Sequence, residues 1–268
     1  MSESSTPAHT LPPDGHPRPG TLYLVPAPLD FGCETQVPVE DSLPAATLRA
    51  AAGLGHWVCE NAKSARALLK RIDSVAPLTV PIQQMSIREL PREVHKKGDH
   101  GGGFDARGLL VDLQAGHDVG LLSEAGMPAV ADPGSSVVRA AHDLGAPVVP
   151  LVGPVSLLLA LAASGLGGQD FAFTGYLPQD AEARRQRIRD LEGLALKRGQ
   201  TQIVIEAPYR NEAVLQALVQ TLQPNTRLAV ASGLTLPQTQ ISSRSVKAWR
   251  ALPERALGKL PAVFAFGR

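Results

Sequence analysis

Leu121–Gly134, reading LLSEAGMPAVADPG, is the stretch that decides the fold. With Val119 and Gly120 before it, its opening is the short continuous apolar run of a buried parallel strand, predicted over Val119 to Leu122. The run breaks into small residues and proline and ends on Asp132-Pro133-Gly134, where a helix is predicted to begin. Asp132 is the expected N-cap and Pro133 the expected first helical residue, where a missing N–H is no loss. Val137, Val138, Ala141 and Leu144 follow at helical spacing, and Gly145 closes the helix. A strand, a backbone-rich loop and a helix in that order suit a ligand loop beyond the carboxyl end of a parallel strand, because small residues let main-chain groups approach a small molecule. A tight strand-to-helix turn without a ligand is the plainer account of the same residues.

Working outward, Thr21 to Val25 is predicted as the first strand, ended by Pro26-Ala27-Pro28, with a long loop over Leu29 to Pro44. A helix is expected over Ala45 to Leu54, and a buried strand over His56 to Cys59 runs into Glu60-Asn61-Ala62-Lys63. From Ser64 to Ile72 the apolar residues Ala65, Leu68, Leu69 and Ile72 form one face of an amphipathic helix, with Arg66, Lys70 and Arg71 on the other. Leu78 to Ile82 is the expected third strand. Glu93 to Gly108 reads as a flexible surface loop; its triple glycine, Gly101 to Gly103, follows no predicted strand and lacks the Lys-Ser/Thr of a phosphate loop. A helix over Leu109 to Ala115 leads into the deciding stretch, and beyond it come a strand over Pro147 to Leu151 and an apolar helix over Leu157 to Ala163. Strands alternating with helices predict a parallel, doubly wound sheet.

After Gly165 to Gly168 the pattern changes. Strands are expected over Asp170 to Thr174, Gln202 to Ile205, Arg227 to Ala231, Gln238 to Ser243 and Ala262 to Phe266, with an Arg-dense helix over Glu182 to Arg198 and another ending at Leu222. Few helices separate the last strands, so this second sheet should be mixed and partly antiparallel. The expected division is a disordered Pro-rich tail over 1–19, an N-terminal α/β domain over 20–167 and a C-terminal α/β domain over 168–268.

A chain of 268 residues, 44% hydrophobic, suits two moderate cores. Its formal net charge of +1 excludes a general polycation, so any nucleic acid must be held by a local patch. Cys33 and Cys59 have no zinc spacing and make no disulfide framework; a reducing cytoplasm, no metal, no signal peptide and no membrane span are expected. Arg184, Arg185, Arg187, Arg189, Lys197 and Arg198, with Lys63, Arg66, Lys70 and Arg71, are candidates for tracking phosphates, although Glu182, Asp190 and Glu192 dilute the set.

Several blocks in order resemble one family: Thr21 to Val25 with Pro28, Ser123 to Gly134, Val152 to Ser156 (VGPVS), Ala163 to Leu166, Gly175 to Pro178 (GYLP) and Ile205 to Arg210 (IEAPYR). The chain is similar to the tetrapyrrole methylase superfamily, and within it to the branch of small-subunit ribosomal RNA cytidine 2′-O-methyltransferases. The resemblance implies two α/β domains with S-adenosylmethionine in the cleft between them, and a homodimer. The acceptor it implies is a ribosomal RNA ribose hydroxyl. A small corrinoid-like acceptor, or a non-catalytic cofactor-binding protein, are the alternatives. The positions it implies at the cofactor are Pro28, Leu29, Ser123, Met127, Val130, Val155, Ser156, Ala207 and Pro261; Leu29, Val130 and Val155 also read as plain core. The candidate catalytic residues are Glu60, Asn61 and Lys63, where the family has Glu-Asp-Thr-Arg: Asn61 is no carboxylate base, and Lys63 is a point charge in place of a bidentate fork. Glu60 also reads as a cap for the helix after it. Pro28-Leu29-Asp30-Phe31 likewise departs from a Pro-Ile-Gly-Asn pattern. No G-x-G-x-G followed by an acid at the end of the next strand is present, which argues against a classical Rossmann-type methyltransferase.

Overall fold

A computed structural model describes residues 18–97, 99, 103–252 and 257–268. The expected tail lies outside the described residues up to residue 17, as do Gly101 and Gly102 of the triple glycine. The chain divides into two compact units, one of residues 39–153 with the chain before Pro28, the other of residues 28–38 and 154–268.

The first unit is built on a five-stranded sheet. Its strands are β1 (Leu22–Val25), β2 (His56–Cys59), β3 (Ser86–Glu89), β4 (Val119–Leu122) and β5 (Val148–Pro150), in the order β3-β2-β4-β1-β5. Every pairing is parallel, as the buried apolar runs required. Helices α1 (Ala45–Ala52), α2 (Ala62–Asp73), α3 (Arg92–Lys97), α4 (Val111–Gln114) and α5 (Ser135–Asp143) belong to the same unit. Alternation along the strands feeds two cores: Val25, Trp57, Cys59 and Leu122 pack with α1 and α2, while Leu22, Val58, Val119 and Leu121 pack with α4 and α5. Gly120 stands in register with Trp57, and a Cβ there would come within 2.5 Å of the indole ring, so the widest side chain of this core dictates a glycine on the central strand.

Two expectations fail here. The third strand is Ser86–Glu89, while Ile82–Gln84 is a 3-10 turn. Pro81 removes a ladder donor from the apolar run, and the true strand is a half-exposed edge whose only large apolar residue is Ile87. The segment expected to be a loop over 93–108 contains most of α3 and the start of a 3-10 turn over Arg107–Leu109, after which α4 is a single turn.

The second unit carries α6 (Ser156–Ser164), β6 (Phe171–Tyr176), α7 (Ala181–Arg198), β7 (Thr201–Glu206), α8 (Asn211–Thr221), β8 (Arg227–Ser232), β9 (Gln240–Ser245), α9 (Val246–Arg250) and β10 (Ala262–Gly267). Its sheet order is β6-β7-β10-β8-β9, with β6 and β7 parallel and the other pairs antiparallel, the mixed sheet expected. Val204, Phe264 and Phe266 pack with α7 and α8 on one face; Ile203, Ala231 and Val263 pack with α6 on the other. That second contact sets the division between the units at Gly153, ahead of the glycine cluster from which a boundary at 167/168 was expected: α6 is covered by the second sheet. Among the described residues no helix is long and apolar enough to cross a membrane.

Candidate active-site elements

At the carboxyl edge of the first sheet, the loops after β1 and β4 are tied together. Ala27 N–H donates to the Gly126 carbonyl at 2.9 Å, and Gly126 N–H donates back at 3.0 Å. Ser123 is buried, and its hydroxyl donates to the carbonyls of Ala125 (3.3 Å) and Gly126 (3.4 Å), so it braces the turn. The loop then passes through positive φ at Gly126 (73°), Ala129 (64°), Ala131 (67°) and Gly134 (134°). The left-handed region costs an L-residue with a Cβ about 1–2 kcal/mol, and backbone strain of this kind concentrates at functional sites. Met127 is half-buried, and Val130, at 41% exposure, is not a core residue.

Asp132 is not the N-cap of α5. The helix starts at Ser135 with Gly134 in the cap position, where no side chain of its own supplies a hydrogen bond. The cap comes from a distant residue, Asp99. Its Oδ2 accepts from Gly134 N–H (3.0 Å), Ser136 N–H (2.8 Å) and the Ser136 hydroxyl (2.5 Å), and its Oδ1 accepts from the Ser135 hydroxyl (2.8 Å). Burial pushes the Asp99 carboxyl up, but the hydrogen bonds from Ser136, Ser135 and Gly134 outweigh it and hold the group below the usual carboxylate range. Asp132 is thereby left to another environment. Burial, and then the charges of Glu60 and Glu124, push its carboxyl up to about 7.

Asn61, not Glu60, caps α2. Its Oδ1 accepts from Lys63 N–H (2.8 Å) and Ser64 N–H (3.2 Å), and Glu89 accepts from Ala62 N–H at 2.6 Å. Glu60 turns toward the β4 loop and accepts from Glu124 N–H at 3.3 Å, while Glu124 accepts from the Ser64 hydroxyl at 3.2 Å. Of the candidate catalytic residues, the structure therefore brings Glu60 to the deciding stretch, commits the Asn61 oxygen to the cap, and leaves Lys63 exposed on the first turn of α2. Glu124 and Asp132, both inside the deciding stretch, were not among the candidate residues, and the structure couples them to Glu60. Cys59, at the end of β2, is no nucleophile, since burial and then Glu89 push its thiol up to about 12. Among the described residues no group of three or more His, Cys, Asp or Glu is placed to hold a metal ion.

The remaining candidates belong to the second unit. Leu29 and Val155 pack, partly buried, against the α6 side of its core, and Pro28 is buried. Val155 occupies the N-cap position of α6 and Ser156 its first turn. Ala207 follows β7, its N–H donating to Glu206 Oε1 at 2.9 Å, while Glu206 Oε2 lies 3.2 Å from Arg210 Nη2. Ala262 is in register with Glu206, which sets Pro261 beside Ala207 at one end of the sheet. The Pro261 carbonyl accepts from Gly233 N–H at 3.0 Å.

The loop after β4 thus joins backbone at positive φ to a carboxyl that burial and two neighbouring acids push up to about 7. Residues 51–248 match the family described as Tetrapyrrole (Corrin/Porphyrin) Methylases. The chain belongs to this family and is a methyltransferase. It is 30% identical over 248 residues, 92% of this chain and 72% of the relative, to Ribosomal RNA small subunit methyltransferase I of Mesorhizobium japonicum. It is 41% identical over 116 residues to the protein of the same name from Pseudomonas aeruginosa, a match covering 43% of this chain and only 38% of that protein. In fold it is similar to the crystal structure of the methyltransferase CobJ, with TM-score 0.56, 21% identity and coverage of 93% of this chain and 94% of that one.

Proposed function

We propose that this protein transfers the methyl group of S-adenosylmethionine to a ribose 2′-hydroxyl of small-subunit ribosomal RNA, acting in the cytoplasm as a homodimer. The observation that carries the acceptor is the match over 92% of the chain to a methyltransferase named for that RNA. The fold shared with CobJ does not extend to an acceptor.

The residues suit the cofactor. A sulfonium cation with an adenine and an amino-acid tail needs apolar walls, main-chain acceptors and compensating negative charge. In the first unit, the backbone around Met127 to Ala131 offers main-chain acceptors, and Glu60 and Glu124 offer negative charge. When bound, S-adenosylmethionine supplies an electrophilic methyl group. The protein's own task is to align the hydroxyl and take up its proton. Asp132 is our candidate for that proton, since a base is most effective with its pKa near the working pH. Burial, and then the charges of Glu60 and Glu124, keep it there by opposing its ionisation.

Mass spectrometry of ribosomal RNA from a deletion strain tests the acceptor. A single ribose methyl on the small-subunit RNA should disappear and return when the gene is restored. An unchanged methylation pattern would remove RNA as the acceptor.

A further inference from the structure

We infer that α2 is the element that holds the RNA backbone: Lys63, Arg66 and Lys70 form one exposed stripe of uncompensated cations that fits successive phosphates of a single strand. This rests on the ribosomal RNA acceptor proposed above and says where that acceptor is gripped.

The stripe follows from the sequence. The three residues stand at i, i+3 and i+7, on one side of the helix, while Ala65, Leu68, Leu69 and Ile72 bury the opposite side and fix its rotation. Lys63, Arg66 and Lys70 are all exposed, and among the described residues none of them has an acidic partner within ion-pair distance; Arg66 makes only a long 3.4 Å contact with the Ala62 carbonyl of its own helix. From Lys63 to Lys70 the stripe spans about 10 Å at the helical rise. A helical nucleic-acid strand carries a phosphate roughly every 3.4 Å of its axis, so about 10 Å passes three to four phosphates, enough for each of the three cations to meet one.

Lys63 sits where intrinsic helix chemistry opposes it. A helix N-terminus favours acids, and the first turn of α2 has none. The helix's own leading N–H groups are taken by Asn61 and Glu89, so they are not free to hold an anion and Lys63 is the exposed cation at that end. Lys70 in the last turn suits the dipole and needs no other explanation; Lys63 does not. Glu89 and Glu124, bonded to Ala62 N–H and the Ser64 hydroxyl, bring negative charge to that end of the helix and make a lysine there tolerable, so Lys63 stands exposed beside the acidic site and continues the line of Arg66 and Lys70.

The Arg-rich α7 presents the contrary case. Glu182 pairs with Arg185 at 2.6 Å and with Arg189 at 3.3 Å, and Arg184 donates to the carbonyls of Pro178 (3.3 Å) and Gln179 (3.0 Å). Its sequence is richer in cations, but these three have their charge or their donors engaged within the helix and the turn before it, whereas those of α2 are open.

The experiment compares Arg66→Gln/Lys70→Gln with Arg185→Gln/Arg189→Gln. Binding of transcribed small-subunit ribosomal RNA is measured across a salt series, with S-adenosylmethionine titrated calorimetrically into each variant as the check on folding. The α2 pair should weaken RNA binding roughly tenfold at moderate salt and lower the salt slope by about two, with cofactor affinity unchanged. The α7 pair, which leaves Glu182 bare, should leave the slope as in the parent. Loss of slope with the α7 variant and not the α2 variant, or in neither, overturns the inference while the RNA acceptor stands. A parent protein with no salt-dependent RNA affinity at all overturns the acceptor itself, and the inference with it.

Discussion

Asp132 carries the sharpest expectation at the scale of one residue. Its carboxyl titrates near 3.9 in an unfolded chain and at about 7 in the fold, so between those values the folded protein holds a proton that the unfolded chain has released. Stability attributable to it is therefore complete below about pH 4 and declines as the pH rises to about 7. Asp132→Asn abolishes the decline. Thermal melts of parent and variant should nearly coincide at pH 4 and separate in the variant's favour by pH 8, by roughly 2 kcal/mol, half of what the shift would give for a fully enclosed group. Methyl transfer should move the other way, falling about a hundredfold, since the amide cannot take a proton. A parent rate that does not climb through pH 7 would leave Asp132 without a role as base. Nothing in the local sequence gave this away: Asp-Pro-Gly before a helical pattern reads as a cap, and the residue that usurps the cap lies 33 positions upstream, at Asp99.

Among the elements, α5 depends most on a partner outside itself. Its cap is one buried carboxylate meeting two main-chain N–H groups and two hydroxyls. Asp99→Ala should cost about 1–2 kcal/mol in denaturant melts at pH 7, the usual range for a lost cap. The Asp99 carboxyl is depressed by folding, so its contribution is present above the ordinary aspartate value and is lost as the pH falls through the lower folded one. The deficit of the variant should accordingly shrink in strong acid; a deficit that is constant down to pH 2 would mean that packing, not the charge, was lost. The same contrast separates what the sequence made legible from what it did not. Helices α2 and α7 and strands β2 and β4 were readable because each buries one periodic face or a continuous apolar run. β3 was not, since an edge strand has little to bury, and a cap supplied from another loop leaves no periodic trace at all. The candidate residues divide likewise: Ser123, Met127 and Glu60 were proposed from the family resemblance of the blocks that bear them, whereas the coupling of Glu60 and Glu124 to Asp132 exists only once β2 and β4 are neighbours.

For the molecule as a whole, the oligomer proposed above turns on α6. SLLLALAAS is apolar around its entire circumference, yet only Leu157, Ala160, Leu161 and Ser164 are buried against its sheet, while Leu158 stands 50% and Leu159 39% exposed. A helix apolar on all sides is normally enclosed, and covering those two leucines would contribute on the order of 1–3 kcal/mol each. A second copy can cover them by a two-fold contact in which the same patch meets itself, the commonest arrangement among homo-oligomers. Sedimentation equilibrium at micromolar concentration should then give twice the 28.2 kDa chain mass, and the melting temperature should rise with protein concentration, as it must when association stabilises only the folded form. Leu158→Glu/Leu159→Glu, which alters no buried side chain of α6, should return the mass of one chain while leaving the far-ultraviolet circular dichroism unchanged. A parent protein of single-chain mass, with a melting temperature independent of concentration, would exclude the dimer and leave these leucines to a different partner.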